Sequence, residues 1–130
     1  MDDYRDAIAS CCRQLRLSAN LADHAFAIQG ETHQEYLYNL LSEEIKCRKA
    51  ARIGKLIHSA GFPVQHNFAA FQPDEVQFPS GVTPESLKAL EFFHAGNNLV
   101  MYGSTGTGKT MLSICIGMEA CRSGIPVKFF

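Results

Sequence analysis

The sequence predicts an α/β protein. A helical N-terminal domain over residues 1–60 is followed by a linker arm at 61–83 and the start of a parallel-sheet domain over 84–130. Three observations carry this. The glycine-rich stretch Gly103–Thr110 has a strand-like apolar run before it and a helix-like run after it. The first sixty residues repeat apolar side chains at helical spacing. The stretch between them collects glycine and proline with no sustained period.

Residues 3 to about 29 read as helical, with Ala7, Ile8, Cys11, Cys12 and Leu15 as an apolar stripe. Ser18 or Asn20 is placed to cap a second helix carrying Leu21, Ala22, Ala25 and Phe26, so one helix or two fit this stretch. Gly30 ends it. Thr32-His33-Gln34-Glu35 is a capping box that opens a helix to about Ala60. Tyr36, Leu37, Leu40, Leu41 and Ile45 form its first apolar face, and Ile53, Leu56 and Ile57 its last. Gly61 and Pro63 stop it. In the linker arm Phe62, Phe68, Phe71 and Phe78 are too many aromatics for a solvated tether, and are expected to pack on the domain that follows. Thr83-Pro84-Glu85 starts a helix with Leu87, Leu90, Phe92 and Phe93, ending near Gly96. Asn98–Tyr102 reads as a short buried strand, Thr110–Arg122 as a helix, and Val127–Phe130 as a second strand after the stop at Gly124 and Pro126.

The stretch Gly103, Ser104, Thr105, Gly106, Thr107, Gly108, Lys109, Thr110 matches the phosphate-loop pattern G-x-x-x-x-G-K-[ST] in full. Gly103, Gly106 and Gly108 allow backbone angles that turn N–H groups inward as a nest for anionic oxygens. Lys109 supplies a point charge for the outer phosphates. Thr110 offers a hydroxyl to Mg2+. The helix that begins near Gly108 adds its positive dipole end. The strand–loop–helix context is the one the motif needs. No G-x-G-x-x-G is present, so dinucleotide binding has no support.

Composition is that of an ordinary soluble chain, and no apolar run is long enough to span a bilayer. The start Met1-Asp2-Asp3-Tyr4-Arg5-Asp6 is acidic with no apolar run behind it, so no signal peptide is expected and the protein reads as cytoplasmic. Cys11, Cys12, Cys47, Cys115 and Cys121 are odd in number and form no C-x-x-C pair, which favours reduced structural thiols. His24, His33, His58, His66 and His94 lack ligand spacing. A net charge of −1 gives no global signal for nucleic acid. Locally, Lys46, Arg48, Lys49, Arg52 and Lys55 share a window without an acid. Arg48, Arg52 and Lys55 line one side of the long helix and are candidate contacts to a DNA backbone, or else a solvated face suited to the helix C-terminus.

A nucleotide-hydrolysing domain of this kind needs a further strand with acidic residues to hold magnesium and align water. No such strand is found in these residues. The chain is therefore expected to be the N-terminal part of a larger, truncated ATPase or a shortened gene product, with hydrolysis open.

The ordered set of features resembles the N-terminal half of the IstB-like ATP-binding proteins, helper ATPases of insertion-sequence transposition, related to DnaC helicase loaders within the AAA+ class. It rests on Leu15-Arg16-Leu17, Tyr36–Leu41 with Glu43, Glu44 and Arg48, Ala60-Gly61-Phe62-Pro63, and Phe68–Phe71. It continues through Asn98–Gly103, Gly108-Lys109-Thr110 and Glu119–Gly124. The resemblance implies a P-loop (AAA+) nucleotide-binding domain using ATP and Mg2+. It also implies N-terminal helices for DNA binding and self-assembly, a homo-oligomer in the full-length protein, and recruitment of transposase to target DNA. On it, Gly103 to Thr110 would be the phosphate loop, Lys109 the phosphate cation and Thr110 the magnesium ligand. A helicase loader that engages a replicative helicase is the near alternative, and a non-catalytic fragment that only binds partners is the alternative from another class. A small P-loop kinase leaves the first sixty residues without a task.

Overall fold

The computed structural model describes Tyr4–Phe130, excepting the side chain of Glu75. Met1, Asp2 and Asp3, on which the reading of the N-terminus partly rests, lie outside the described residues, and so does Asp3 as the expected start of the first helix. The helices, in order, are α1 Tyr4–Gln14, α2 Leu21–Ala27, α3 His33–Ala60, α4 Pro84–Lys88, α5 Glu91–His94 and α6 Lys109–Arg122, with a 3-10 turn at Pro73–Glu75. The chain forms two compact units, one ending at Arg52 and the other spanning Ile53–Phe130.

The expected α/β fold with a parallel sheet is overturned: among the described residues there is no strand and no sheet, and the regular structure is helical. Residues 98–102 and 127–130 keep the alternation that suggested strands. Leu99 and Met101 pack against the core, while Val100 and Tyr102 face solvent. Alternation places side chains, but a strand exists only through a hydrogen-bonded neighbour. These segments lack one. Instead, the Phe129 N–H donates to Ala60 O at the end of α3 (2.9 Å), where the Lys128 ammonium also donates to Ser59 O (3.0 Å). Both carbonyls belong to the last turn of α3, whose carbonyls have no partner within the helix.

In the first unit the helical stretch before Gly30 divides in two. α1 ends at Gln14, and Arg16 sits in the left-handed region at φ 55. That conformation is costly for a residue with a side chain, by about 1–2 kcal/mol. Two contacts from α3 hold the turn in place. The Arg48 guanidinium donates to Arg16 O (2.7 Å), and the Ser18 N–H donates to the Glu44 carboxylate at 3.0 and 3.2 Å. Glu44 is 5% exposed and also accepts from Arg48 Nε at 2.6 Å. Burial raises the Glu44 pKa, but the hydrogen bonds from Arg48 and Ser18 outweigh it and hold the carboxyl below its usual value of 4.5. Cys12, Leu21 and Ala22 are buried, and the Tyr36 hydroxyl donates to Ala25 O. The capping box at the head of α3 is displaced by one residue. The Glu35 N–H donates to Thr32 Oγ1 (3.1 Å), but the Glu35 carboxylate accepts from Glu31 N–H (2.8 Å) rather than from Thr32.

In the second unit α6 is the core. Leu112, Ile114, Cys115, Ile116, Gly117, Met118, Ala120 and Cys121 are all buried, so the helix is enclosed on every side. Burial pushes the Cys115 and Cys121 thiols up, and all five cysteines are free. Phe71, Leu87 and Leu90 complete the core cluster, with Phe68, Val76, Phe78 and Val82 packed on it. Phe68, Phe71 and Phe78 thus belong to the core of the unit that contains them, which begins at Ile53. The helix expected from Pro84 breaks at Leu90, which turns left-handed at φ 58 and drives its side chain to 2% exposure. A capping box of Thr83 and Ser86 opens α4. A side-chain Cβ at Gly117 would lie 2.7 Å from the Phe62 ring, which stacks edge-on against Phe129 at 6.0 Å.

Two outcomes follow. The Glu44 contribution is complete above about pH 4.5 and is lost as pH falls through the lowered folded value. Glu44→Gln should destabilise the first unit by about 1–3 kcal/mol at neutral pH, and should flatten the acid limb of its circular-dichroism titration. At Gly117, alanine gains about 1 kcal/mol of helix propensity but overpacks Phe62 at a cost of about 1–3 kcal/mol. Gly117→Ala should therefore destabilise the native chain in urea titrations but stabilise a Phe62→Ala background. The same sign in both backgrounds would refute the contact.

Candidate functional site

The stretch Gly103–Thr110 forms a loop whose last two residues are the first turn of α6. Gly106 (φ 81) and Gly108 (φ 89) lie in the left-handed region, where a side chain is strained, and Gly108 is the residue from which the helix starts. The first main-chain bond of α6 runs from Leu112 N–H to Gly108 O (2.9 Å). Among the described residues, the N–H groups of 105–111 have no protein acceptor. These are the orphan donors of a helix start, extended backwards by the loop, and they carry the positive end of the helix dipole.

The side chains bind the loop from within. Thr107 Oγ1 donates to Ser104 O at 2.8 Å. The Lys109 ammonium donates to Gly103 O (2.8 Å) and Ser104 O (2.7 Å), with Thr107 Oγ1 at 3.4 Å. Lys109 is half-buried, Thr110 is exposed, and the loop from Gly103 to Thr107 faces solvent. Ser113 Oγ donates to Lys109 O (2.9 Å), bracing the first turn. Sequence reading passed over Ser113. Its signal was a serine four residues after the lysine, the spacing for a bond back to the preceding turn.

The loop therefore joins a cation, open amides and a free hydroxyl at one helix start. The chemistry this permits is binding of a multiply charged anion with oxygens on several sides. The Thr110 hydroxyl has no protein partner among the described residues, so it suits a cation whose remaining ligands come from the anion and water. No group of three or more His, Cys, Asp or Glu among the described residues could hold a metal by itself.

A cavity of about 390 Å³ lies beside the middle of α6 rather than at its start, lined by Leu90, Phe92, Leu99, Met101, Ile116 and Val127 among others. Its walls are mostly apolar, with Asn97, Asn98 and Ser113 as the polar members, and no cationic side chain lines it.

The basic strip is placed less simply than its spacing suggested. Arg48 is drawn into the Glu44 and Arg16 contacts, which give it a structural task. Arg52 and Lys55 are exposed, Arg52 in the first unit and Lys55 in the second. Lys49, also exposed, was in the window but not among the residues singled out. No helix among the described residues is long and apolar enough to cross a membrane.

The family model described as IstB-like ATP binding protein matches residues 14–130. An insertion sequence IS21-like ATP-binding protein of Bacteroides fragilis is 26% identical over 130 residues, covering 95% of this chain and 49% of the relative. An ATP-binding protein in an insertion sequence of Mycobacterium tuberculosis is 29% identical over 95% of this chain and 51% of its own length. The insertion sequence IS5376 ATP-binding protein of Geobacillus stearothermophilus is 30% identical over 96% of this chain and 52% of its own. The chain spans about half the length of the curated relatives it matches.

Proposed function

The chain belongs to the IstB-like ATP binding protein family, and on that premise we propose that it is an ATP-binding helper of DNA transposition, with Gly103 to Thr110 as the phosphate loop. One observation carries the reading: the open amides of 105–111 and the Lys109 ammonium meet at the start of a helix locked in the core. In this reading the loop would hold the phosphates of ATP, with the unpaired amides of 105–111 available to donate to their oxygens. Lys109 transfers hydrogen bonds from the Gly103 and Ser104 carbonyls to phosphate. Thr110 would be the side chain that holds Mg2+, a cation that would supply neutralisation of phosphate charge there. The helix dipole adds a fixed positive potential that needs no reorganisation on binding.

The second part of the reading concerns DNA and partners. The exposed cations Lys49, Arg52 and Lys55 of α3 are the candidate contacts to a DNA backbone, with Arg48 contributing through the turn it holds. Transposase is the proposed protein partner, on the strength of the insertion-sequence relatives.

A fluorescent ATP-analogue titration with magnesium tests the first part. Saturable binding is expected for the native chain. Lys109→Ala should weaken it at least tenfold while leaving the far-ultraviolet circular dichroism unchanged. Equal affinity in both proteins would sink the loop assignment. For the second part, duplex binding should fall with salt, and Arg52→Ala should reduce the slope of log K against log salt by about 1, independently of duplex sequence. Arg48→Ala is a poor test, because it loosens the Arg16 turn as well.

A further inference from the structure

Four side-chain hydroxyls lie in the loop, on Ser104, Thr105, Thr107 and Thr110, and all four residues are exposed. Among the described residues, only the Thr107 hydroxyl has protein partners. It donates to Ser104 O at 2.8 Å, three residues back, and so closes the turn that Gly106 makes at φ 81. Water offers an exposed hydroxyl a comparable partner, so burial does not force this bond. The same carbonyl accepts from the Lys109 ammonium at 2.7 Å, one lone pair for each donor. Because the Thr107 proton points to Ser104 O, the lone pairs of its hydroxyl are left for Lys109 Nζ, 3.4 Å away.

We propose that Thr107 is the positioning residue for Lys109: its hydroxyl fixes the Ser104 carbonyl and, with it, the place where the ammonium is held. This role deepens the phosphate reading of the loop and rests on it. Two observations separate it from simple shaping of the turn. The first is that all three acceptors of Lys109 Nζ depend on Thr107. Ser104 O is its own acceptor, Thr107 Oγ1 is the hydroxyl itself, and Gly103 O belongs to a residue whose Cβ, were there one, would lie 3.3 Å from Thr107 Oγ1. Without that hydroxyl, Ser104 O is free to turn to water, and the lysine loses a fixed acceptor and an adjacent one together. The second is Gly108. It sits between Thr107 and Lys109 at φ 89, and a glycine is the residue least able to hold two neighbours in one orientation. The side-chain link through Ser104 O spans that swivel. Threonine suits the task because its branched Cβ restricts χ1, so little rotamer freedom is lost in aiming the hydroxyl at Ser104.

Lysine labelling and a double-mutant cycle on the whole chain test it. In the empty protein, acylation of Lys109 by acetic anhydride is read by peptide mass spectrometry against the exposed Lys49 of the same sample. Thr107→Val, which replaces the hydroxyl by a methyl, should speed it about fivefold, the worth of one hydrogen bond, and Thr107→Ser should restore the native rate. An unchanged rate in Thr107→Val overturns the proposal. In the ATP-analogue titration with magnesium, Thr107→Val should weaken binding about fivefold and Thr107→Ser by about twofold at most. Added to Lys109→Ala, Thr107→Val should weaken it no further, because a residue that acts through Lys109 has nothing left to act on. The same loss in both backgrounds would mean that Thr107 shapes the loop without Lys109, and refutes the role. A loss in Lys109→Ala with none in Thr107→Val sinks this role alone and leaves the phosphate reading standing. Equal affinity of the native chain and Lys109→Ala sinks that reading, and the role falls with it.

Discussion

The first turn of an α-helix has amide groups that nothing within the helix can accept, and the second unit is built around that constraint. α6 is enclosed by apolar side chains along most of its length, so its position is fixed. Its start reaches solvent through a loop in which Gly106 and Gly108 supply the left-handed turns that a side chain would oppose. The burial and the open amides depend on each other. Without the core, the helix start would fray and its donors would scatter. With it, they point as a set.

The first unit solves a different problem by related means. Two short helices must reverse direction between Gln14 and Leu21, and Arg16 takes a strained backbone to do so. One carboxylate and one guanidinium from successive turns of α3 grip the backbone on either side of Leu17. The pair is worth more as a clamp than as an ion pair, because each partner also satisfies a main-chain group.

Much of this was legible in the sequence. The glycine and lysine spacing fixed the loop, Thr83-Pro84-Glu85 fixed a helix start, and Gly30, Gly61 and Gly124 marked ends. What could not be read depended on distant partners. The runs at 98–102 and 127–130 have strand alternation, but pairing is a property of two segments, and the neighbour that would make a ladder is missing among the described residues. Leu90 breaks a helix that its neighbours favour, because burying its side chain outweighs the local cost of φ 58. Arg48 has the same helical spacing as Arg52, yet only the contacts at Glu44 and Arg16 separate a structural cation from a free one. Leu37, Leu41 and Ile45 share a period with Tyr36 and Leu40, and period alone does not say which arc of a wide stripe faces inward.

The carbonyls that hold Lys109 have a consequence for the rate and cost of ligand capture. A free lysine side chain has rotamer freedom of about 2 kcal/mol to lose when it is ordered. Here most of that ordering has already taken place against Gly103 and Ser104. In the proposed phosphate reading, an arriving anion would meet an ammonium already held at the Gly103 and Ser104 carbonyls, and the exchange of acceptors would require little search through side-chain conformations. The loop is braced from within by the bonds of Thr107 and Lys109 to its own carbonyls.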